Sequence, residues 1–245
     1  MNTPTHDHFL DGRIAAQQSA GGFRSGLDAV MIAAAVPAKG DDEILELGSG
    51  AGVASLCLGA RCSSVRIVGI ELLPQLAMLA NRNAHANGMD GRVRFVAGDA
   101  LAPPSDLRRD FHHVFVNPPF HDQEGEASPD SDRAVARGDQ GRLGEWLVGG
   151  LRRVRSQGTL SVILRADRLG EALRHLPARG VVVLPLWPRS DASAKRVIVQ
   201  ACKDSRAPFA LLPGLVLHES DGRYTAAAEA ILRHGGSLAL WSRAL

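Results

Sequence analysis

Aromatic residues are scarce, at 4% of the 245 residues with a single tyrosine. Lysine is scarcer still, because Lys39, Lys195 and Lys203 are the only ones and nearly all the cationic charge is arginine. Cysteine is confined to Cys57, Cys62 and Cys202. That odd set has no Cys-x-x-Cys pair and no histidine at ligand spacing, so a disulfide framework and a structural metal are both disfavoured. Long apolar runs are absent too: the longest clear one, Ala29 to Val36, falls far short of the ~20 residues that span a bilayer. Met1 to Asp7 has no basic segment leading into an apolar one, so no secretory signal is expected. The expectation is a cytoplasmic protein without membrane or metal partners, and nothing in the sequence specifies its oligomeric state.

What is present is globular. A 45% hydrophobic, 22% charged chain of this length can bury one large core. One domain over residues 1–245 is expected, with residues 1–40 as a helical cap over a site built on residues 41–245. The formal charge is only +2. The excess of arginine suits phosphate and stacked bases, although a general bias toward Arg and Ala explains it equally well.

Strands and helices alternate. Glu43 to Leu47, Val65 to Ile70, Val93 to Val96, Phe111 to Val116, Thr159 to Leu164, Val181 to Leu186 and Arg196 to Cys202 read as strands. Helical stretches over Val53 to Ala60, Pro74 to Asn87, Gly141 to Arg155, Arg168 to Leu176 and Thr225 to Arg233 lie between or after them. The sum is an α/β fold, a roughly seven-stranded, mostly parallel sheet with helices on both faces. Gly26 to Val36 reads as an apolar helix across the sheet's carboxyl edge. His121 to Asp139 is a long polar segment of the kind that is functional or disordered in compact domains.

Two places carry chemistry. Between the first strand of that sheet and its helix lies Glu46-Leu47-Gly48-Ser49-Gly50-Ala51-Gly52. Glycines there allow positive φ and close approach of a ligand to backbone N–H groups at a helix N-terminus. The spacing is G-x-G-x-G and not the G-x-G-x-x-G of dinucleotide folds. Glu71 ends the next strand, where a carboxylate accepts ribose hydroxyls, with Leu72 beside it. An acid at Glu46 opposes a pyrophosphate and favours a ligand with a cationic amine and a sulfonium centre, which describes S-adenosylmethionine. Asp99 and Ala100, after the third strand, fall where adenine is held; a turn cap is the other reading of Asp99.

Asn117-Pro118-Pro119-Phe120 ends the fourth strand. Two prolines stiffen the exit from the sheet. The Asn117 side-chain oxygen and the Pro118 carbonyl can accept both hydrogens of one planar amino group, which turns its lone pair toward a methyl donor. Phe120 offers a face for a base. Asn117 also borders the cofactor.

In these motifs the chain resembles class I S-adenosylmethionine-dependent methyltransferases. Within them it is similar to the bacterial family that methylates N6 of the adenine 3′ of the anticodon in a valine tRNA. The subfamily resemblance rests on Phe9 to Arg13, Gly22 to Val30, Asn81 to Asn83 with Asn87-Gly88, Lys195 to Gln200 and Asp221 to Thr225. It implies a Rossmann-like methyltransferase acting on an exocyclic amine of RNA. Gly48, Ser49, Gly50, Gly52, Glu71 and Asp99 would bind cofactor and Asn117 to Phe120 the target adenine. Arg24 and Asp28 would border the pocket, Asp28 having an equal reading as a helix cap.

Arg133 and Arg137 are the foremost candidate phosphate contacts, with Lys195 and Arg196. Arg108-Arg109, Arg152-Arg153 and Arg155 are weaker ones, more often a solvated face. His112-His113, Trp146 and Trp187 read as structural. His121-Asp122 is also reminiscent of rRNA guanine-N2 methyltransferases, which keeps that base open as a target. Glutamine methylation of a release factor, a silent cofactor-binding RNA module and a nicotinamide oxidoreductase are the remaining alternatives.

Overall fold

The computed structural model describes residues 5–19, 24–119 and 142–241. The chain begins with an antiparallel hairpin, β1 (Thr5–Phe9) and β2 (Ile14–Gln18), followed by helix α1 (Leu27–Ala35). The core then runs β3 (Glu43–Leu47), α2 (Val53–Arg61), β4 (Arg66–Glu71), α3 (Pro74–Ala86), β5 (Val93–Ala97) and β6 (Phe111–Val116). After it come α4 (Leu143–Arg153), β7 (Val154–Arg165), α5 (Leu169–Leu173), β8 (Val181–Trp187) and β9 (Arg196–Cys202). The short strands β10 (Ala210–Leu211) and β11 (Leu215–Val216) and helix α6 (Ala226–Leu232) follow.

Among the described residues the main sheet has nine strands, in the order β10-β8-β9-β7-β6-β3-β4-β5 with β11 also on β8. All pairings are parallel except those of β9, which runs antiparallel to β7 and β8. The central strands are continuous apolar runs because both their faces are covered. Ile44, Phe115, Ile163 and Ile198 meet Met31, Ile32, Leu56 and Leu58 of α1 and α2 on one face. Leu45, Leu47, Val114 and Val162 meet Leu143 and Leu147 of α4 on the other. Pro74 starts α3, where its missing N–H costs nothing. Thr225 caps α6 by accepting a hydrogen bond from the Ala228 N–H at 3.1 Å.

Three expectations need correction. The first 40 residues are not uniformly helical: Thr5 to Gln18 form a hairpin, in a sequence (THDHF and IAAQQ) with little of the β-branched, aromatic character that marks strands. Its stability comes from docking. Asn83 Nδ2 and Oδ1 bond the Gln17 carbonyl (3.0 Å) and N–H (2.9 Å), and Asn87 does the same for Ala15 (2.8 and 3.1 Å). Helix α1 lies on a face of the sheet, packed on α2, β7 and α6, and only its first turn reaches the carboxyl edge. The strand placed at Thr159 to Leu164 starts earlier, at Val154, and the tail after Pro208 adds two edge strands.

Candidate active site

The sheet register gathers the sequence motifs at one edge. Leu47 is paired with Ile70 of β4 and with Val116 of β6, and Glu71 with Ala97 of β5. Gly48, Glu71, Gly98 and Asn117 therefore leave four neighbouring strands together, in the order β6-β3-β4-β5. Winding reverses between β3 and β6, and the crevice at such a switch point is where open α/β sheets hold ligands.

Gly48, Gly50 and Gly52 have φ of +71°, +54° and +83°, which side chains rarely adopt. Space excludes a larger residue at Gly52 as well, where a Cβ would lie 2.5 Å from the Phe95 ring; a Cβ on Gly48 would lie 3.3 Å from the Trp146 ring, a tight approach that the ring would have to give way to. Trp146 thus packs under the turn as well as against the α4 core layer, in keeping with its structural reading. The Gly48 and Ser49 N–H groups donate to the Ile70 carbonyl at 2.9 and 3.0 Å. The Gly50 N–H donates to Glu71 Oε2 at 2.8 Å, and the Leu73 N–H to Glu71 Oε1 at 3.0 Å. Glu71 is therefore pinned from both sides and keeps one further lone pair per oxygen for a ligand hydroxyl. Leu72 beside it is 53% exposed.

Glu46 lies under the turn, 3% exposed, accepting a hydrogen bond from the Ser55 hydroxyl. Burial pushes its carboxyl up to about 8; the Ser55 hydrogen bonds oppose this and the Glu71 charge adds to it. At neutral pH it is mostly protonated, so simple charge repulsion is a weaker guide than the sequence implies. An approaching ammonium would restore its charge.

Two buried polar atoms at this edge, Asn117 Oδ1 and Ser49 Oγ, have no hydrogen-bond partner among the described residues. Buried polar groups are nearly always paired, so these two atoms are candidate partners for a ligand. A glycine cradle, a pinned carboxylate and unsatisfied acceptors suit an adenosine-containing group with an amino-acid tail.

Other candidates are placed differently. Asp99 is exposed and accepts from the Leu101 N–H at 2.8 Å, the turn-cap geometry; Ala100 beside it is buried. Arg24 pairs with Asp7 at 2.6 Å. Asp28, expected at the pocket, and Arg196, expected at RNA, bond each other at 2.9 Å, tying α1 to β9 at the carboxyl edge. Lys195 is exposed on that edge. Arg109 belongs to the opposite edge, paired with Glu43 at 2.6 Å and 4.4 Å above the Phe111 ring, because β6 starts there. His113 is structural, between Thr159 (2.9 Å) and Asp42 (3.2 Å). Phe120, Arg133 and Arg137 lie outside the described residues. Ser55, Asn83 and Asn87 were the residues whose roles the sequence hid: a serine in a helix has no distinctive spacing, and the two asparagines, one turn apart on α3, were legible only as a family signature.

The family model for the methyltransferase small domain matches residues 25–141. The chain is 26% identical over 219 residues to a tRNA1(Val) (adenine(37)-N6)-methyltransferase of Shewanella baltica, covering 86% of this chain and 91% of that one. A protein of the same name from Porphyromonas gingivalis is 30% identical over 239 residues, covering 89% of this chain and 91% of that one. The chain belongs to this family. It is an S-adenosylmethionine-dependent methyltransferase with a Rossmann-like fold. The fold of this methyltransferase is shared with a crystal structure described as a predicted O-methyltransferase, Atu636 of Agrobacterium tumefaciens. That match has a TM-score of 0.72 at 24% identity and covers 86% of this chain and 98% of the other. Among the described residues no helix is long and apolar enough to cross a membrane, and no group of three or more His, Cys, Asp or Glu could hold a metal ion.

Proposed function

We propose that this enzyme methylates N6 of an adenine in tRNA, the adenine 37 of valine tRNA that its relatives are named for, and that it does so in the cytoplasm. The observation that carries the reading is the buried Asn117 Oδ1 without a partner, one strand away from the glycine turn.

When bound, S-adenosylmethionine supplies an electrophilic methyl carbon on a sulfonium centre. Glu71 would accept the ribose hydroxyls, the turn from Gly48 to Gly52 would line the backbone side, and Glu46 and Ser49 would serve the polar tail. Asn117 Oδ1 and the Pro118 carbonyl would accept the two hydrogens of the target amine. Pro119 fixes the direction of the chain, and Phe120 is assigned by sequence as the stacking face. An aromatic amine is a weak nucleophile because its lone pair is shared with the ring. Two fixed acceptors draw the nitrogen toward tetrahedral geometry and stabilise positive charge as it develops, the mirror image of an oxyanion hole. No strong general base is needed, since the amine becomes acidic only as its new bond forms; placement does most of the catalysis. Lys195 on the same edge would neutralise RNA phosphate.

The test is nucleoside analysis of total tRNA and rRNA after incubation with the purified protein and cofactor. N6-methyladenosine gained in tRNA is the expected product. N2-methylguanosine in rRNA, or methyl transfer to protein alone, would overturn the assignment.

A further inference from the structure

A second binding feature stands on the same edge of the sheet, at the far side from Asn117, and resting on the RNA reading above we propose that it is a stacking platform for an unpaired base of the RNA. The local sequence builds it. β11 runs parallel to β8, and the chain beyond it stays hydrogen-bonded to the end of β8: the Leu217 N–H donates to the Trp187 carbonyl at 2.8 Å and the His218 N–H to the Pro188 carbonyl at 3.1 Å. The chain then reverses through Asp221-Gly222, with Gly222 at φ +86°, and the Glu219 N–H donates to the Arg223 carbonyl at 2.8 Å. The reversal sets Tyr224 across from His218 as a bridge partner. Their rings stack, with centroids 4.9 Å apart and planes at 27°. A hydrogen bond at 3.1 Å between His218 Nδ1 and the Pro188 carbonyl holds the imidazole from behind.

Tyr224 is the only tyrosine of the chain, yet it is 36% exposed. It lines a cavity of about 390 Å³ together with His8, Phe9, Leu27 and Arg233. That volume is in the range that holds small planar ligands. The lining combines a ring already stacked on one side, a second aromatic residue, and the guanidinium of Arg233, which is paired with Glu229 at 3.2 Å; Asp11 also lines it. Single-stranded RNA is gripped by this combination of aromatic faces for bases and cations for phosphates.

Position supports the assignment. Register links Val116 to Val162, Arg165 to Arg196 and Arg196 to Leu186, so Asn117 and His218 share one edge. Four strand spacings across the sheet, from β6 through β7, β9 and β8 to β11, and about five residues along the strands separate them by on the order of 25 Å. A short run of unpaired nucleotides bridges that gap, and Lys195 stands between the two ends with its ammonium exposed. The platform would thus select RNAs whose target adenine lies in a loop.

The experiment places 2-aminopurine, one position at a time, in the unpaired loop of a substrate stem-loop, and measures its fluorescence on binding to the intact protein. Quenching at one non-target position is expected in wild type and in Asn117→Ala, and its loss in Tyr224→Ala. In steady state, Tyr224→Ala should raise the RNA KM by about tenfold, the scale of one base–aromatic stack. The kcat and the cofactor KM should stay within about twofold, and Tyr224→Phe should behave as wild type because the ring face is kept. A wild-type protein that methylates the stem-loop yet quenches no non-target base would overturn the platform, as would a Tyr224→Ala enzyme with unchanged RNA KM. Absence of RNA binding and methylation by the wild type would instead fail the RNA reading itself.

Discussion

Leu47 and Val116 are register partners on adjacent parallel strands, and they make the last rung between β3 and β6. The glycine turn and the Asn-Pro-Pro segment therefore leave the sheet side by side, although 64 residues of chain lie between Gly52 and Asn117. Two motifs that are moderately informative alone become one candidate site because the fold gives them a common edge. Glu71 then joins the turn to the start of α3 through its two oxygens.

Glu71→Ala removes a carboxylate that orders the Gly50 amide and is assigned to the ribose. Hydrogen bonds to charged groups are worth about 1.5–3 kcal/mol each. S-adenosylmethionine affinity is expected to fall by roughly 10- to 100-fold, measured by calorimetry, while Glu71→Gln, with one acceptor left, should fall between. Unchanged affinity in Glu71→Ala would remove Glu71 from the cofactor site.

Stability should depend on pH through two buried groups of opposite sign. Burial raises the Glu46 carboxyl from 4.5 to about 8, so the folded chain holds a proton that the unfolded chain releases. Its contribution is complete below about 4.5 and is lost as pH rises through about 8. His113 is shifted the other way, below 6.5, because burial outweighs the attraction of Asp42. Its contribution is present above 6.5 and is lost as pH falls below that value. Thermal melts of ligand-free protein should show Glu46→Gln flattening the decline between about pH 4.5 and 8 and leaving the His113-linked acid loss in place. A Glu46→Gln profile parallel to wild type would contradict the shift.

Asn83→Ala should loosen the N-terminal hairpin without breaking the sheet. It deletes paired bonds to Gln17 and one at 2.9 Å to the Ala51 carbonyl beside the glycine turn. A loss of about 1–3 kcal/mol is expected, the cost of leaving buried partners unpaired. Hydrogen exchange should speed up over Ile14 to Gln18 and stay slow in β3 and β6; equal acceleration everywhere would mean that the hairpin is not a separate docking unit.

The central strands were legible because both faces are buried and their apolar runs end in glycine, acid or proline. The carboxyl-edge site was legible for the same reason, since each motif terminates a strand. The hairpin was not, because its residues are unremarkable and its register is set by Asn83 and Asn87 on a distant helix. The Asp28–Arg196 pair was missed on similar grounds: 168 positions separate the two residues, and each alone resembles a ligand contact. Glu46 was found by position, but its charge state depends on Ser55 and on burial, which spacing does not report.

The most direct measurement is methyl transfer from radiolabelled S-adenosylmethionine to tRNA by Asn117→Ala, with cofactor binding measured in parallel. If Asn117 Oδ1 holds the target amine, kcat falls on the order of 10²-fold, as for loss of one preorganised oxyanion partner, while the variant still binds the cofactor. A variant that turns over tRNA at the wild-type rate would contradict the account.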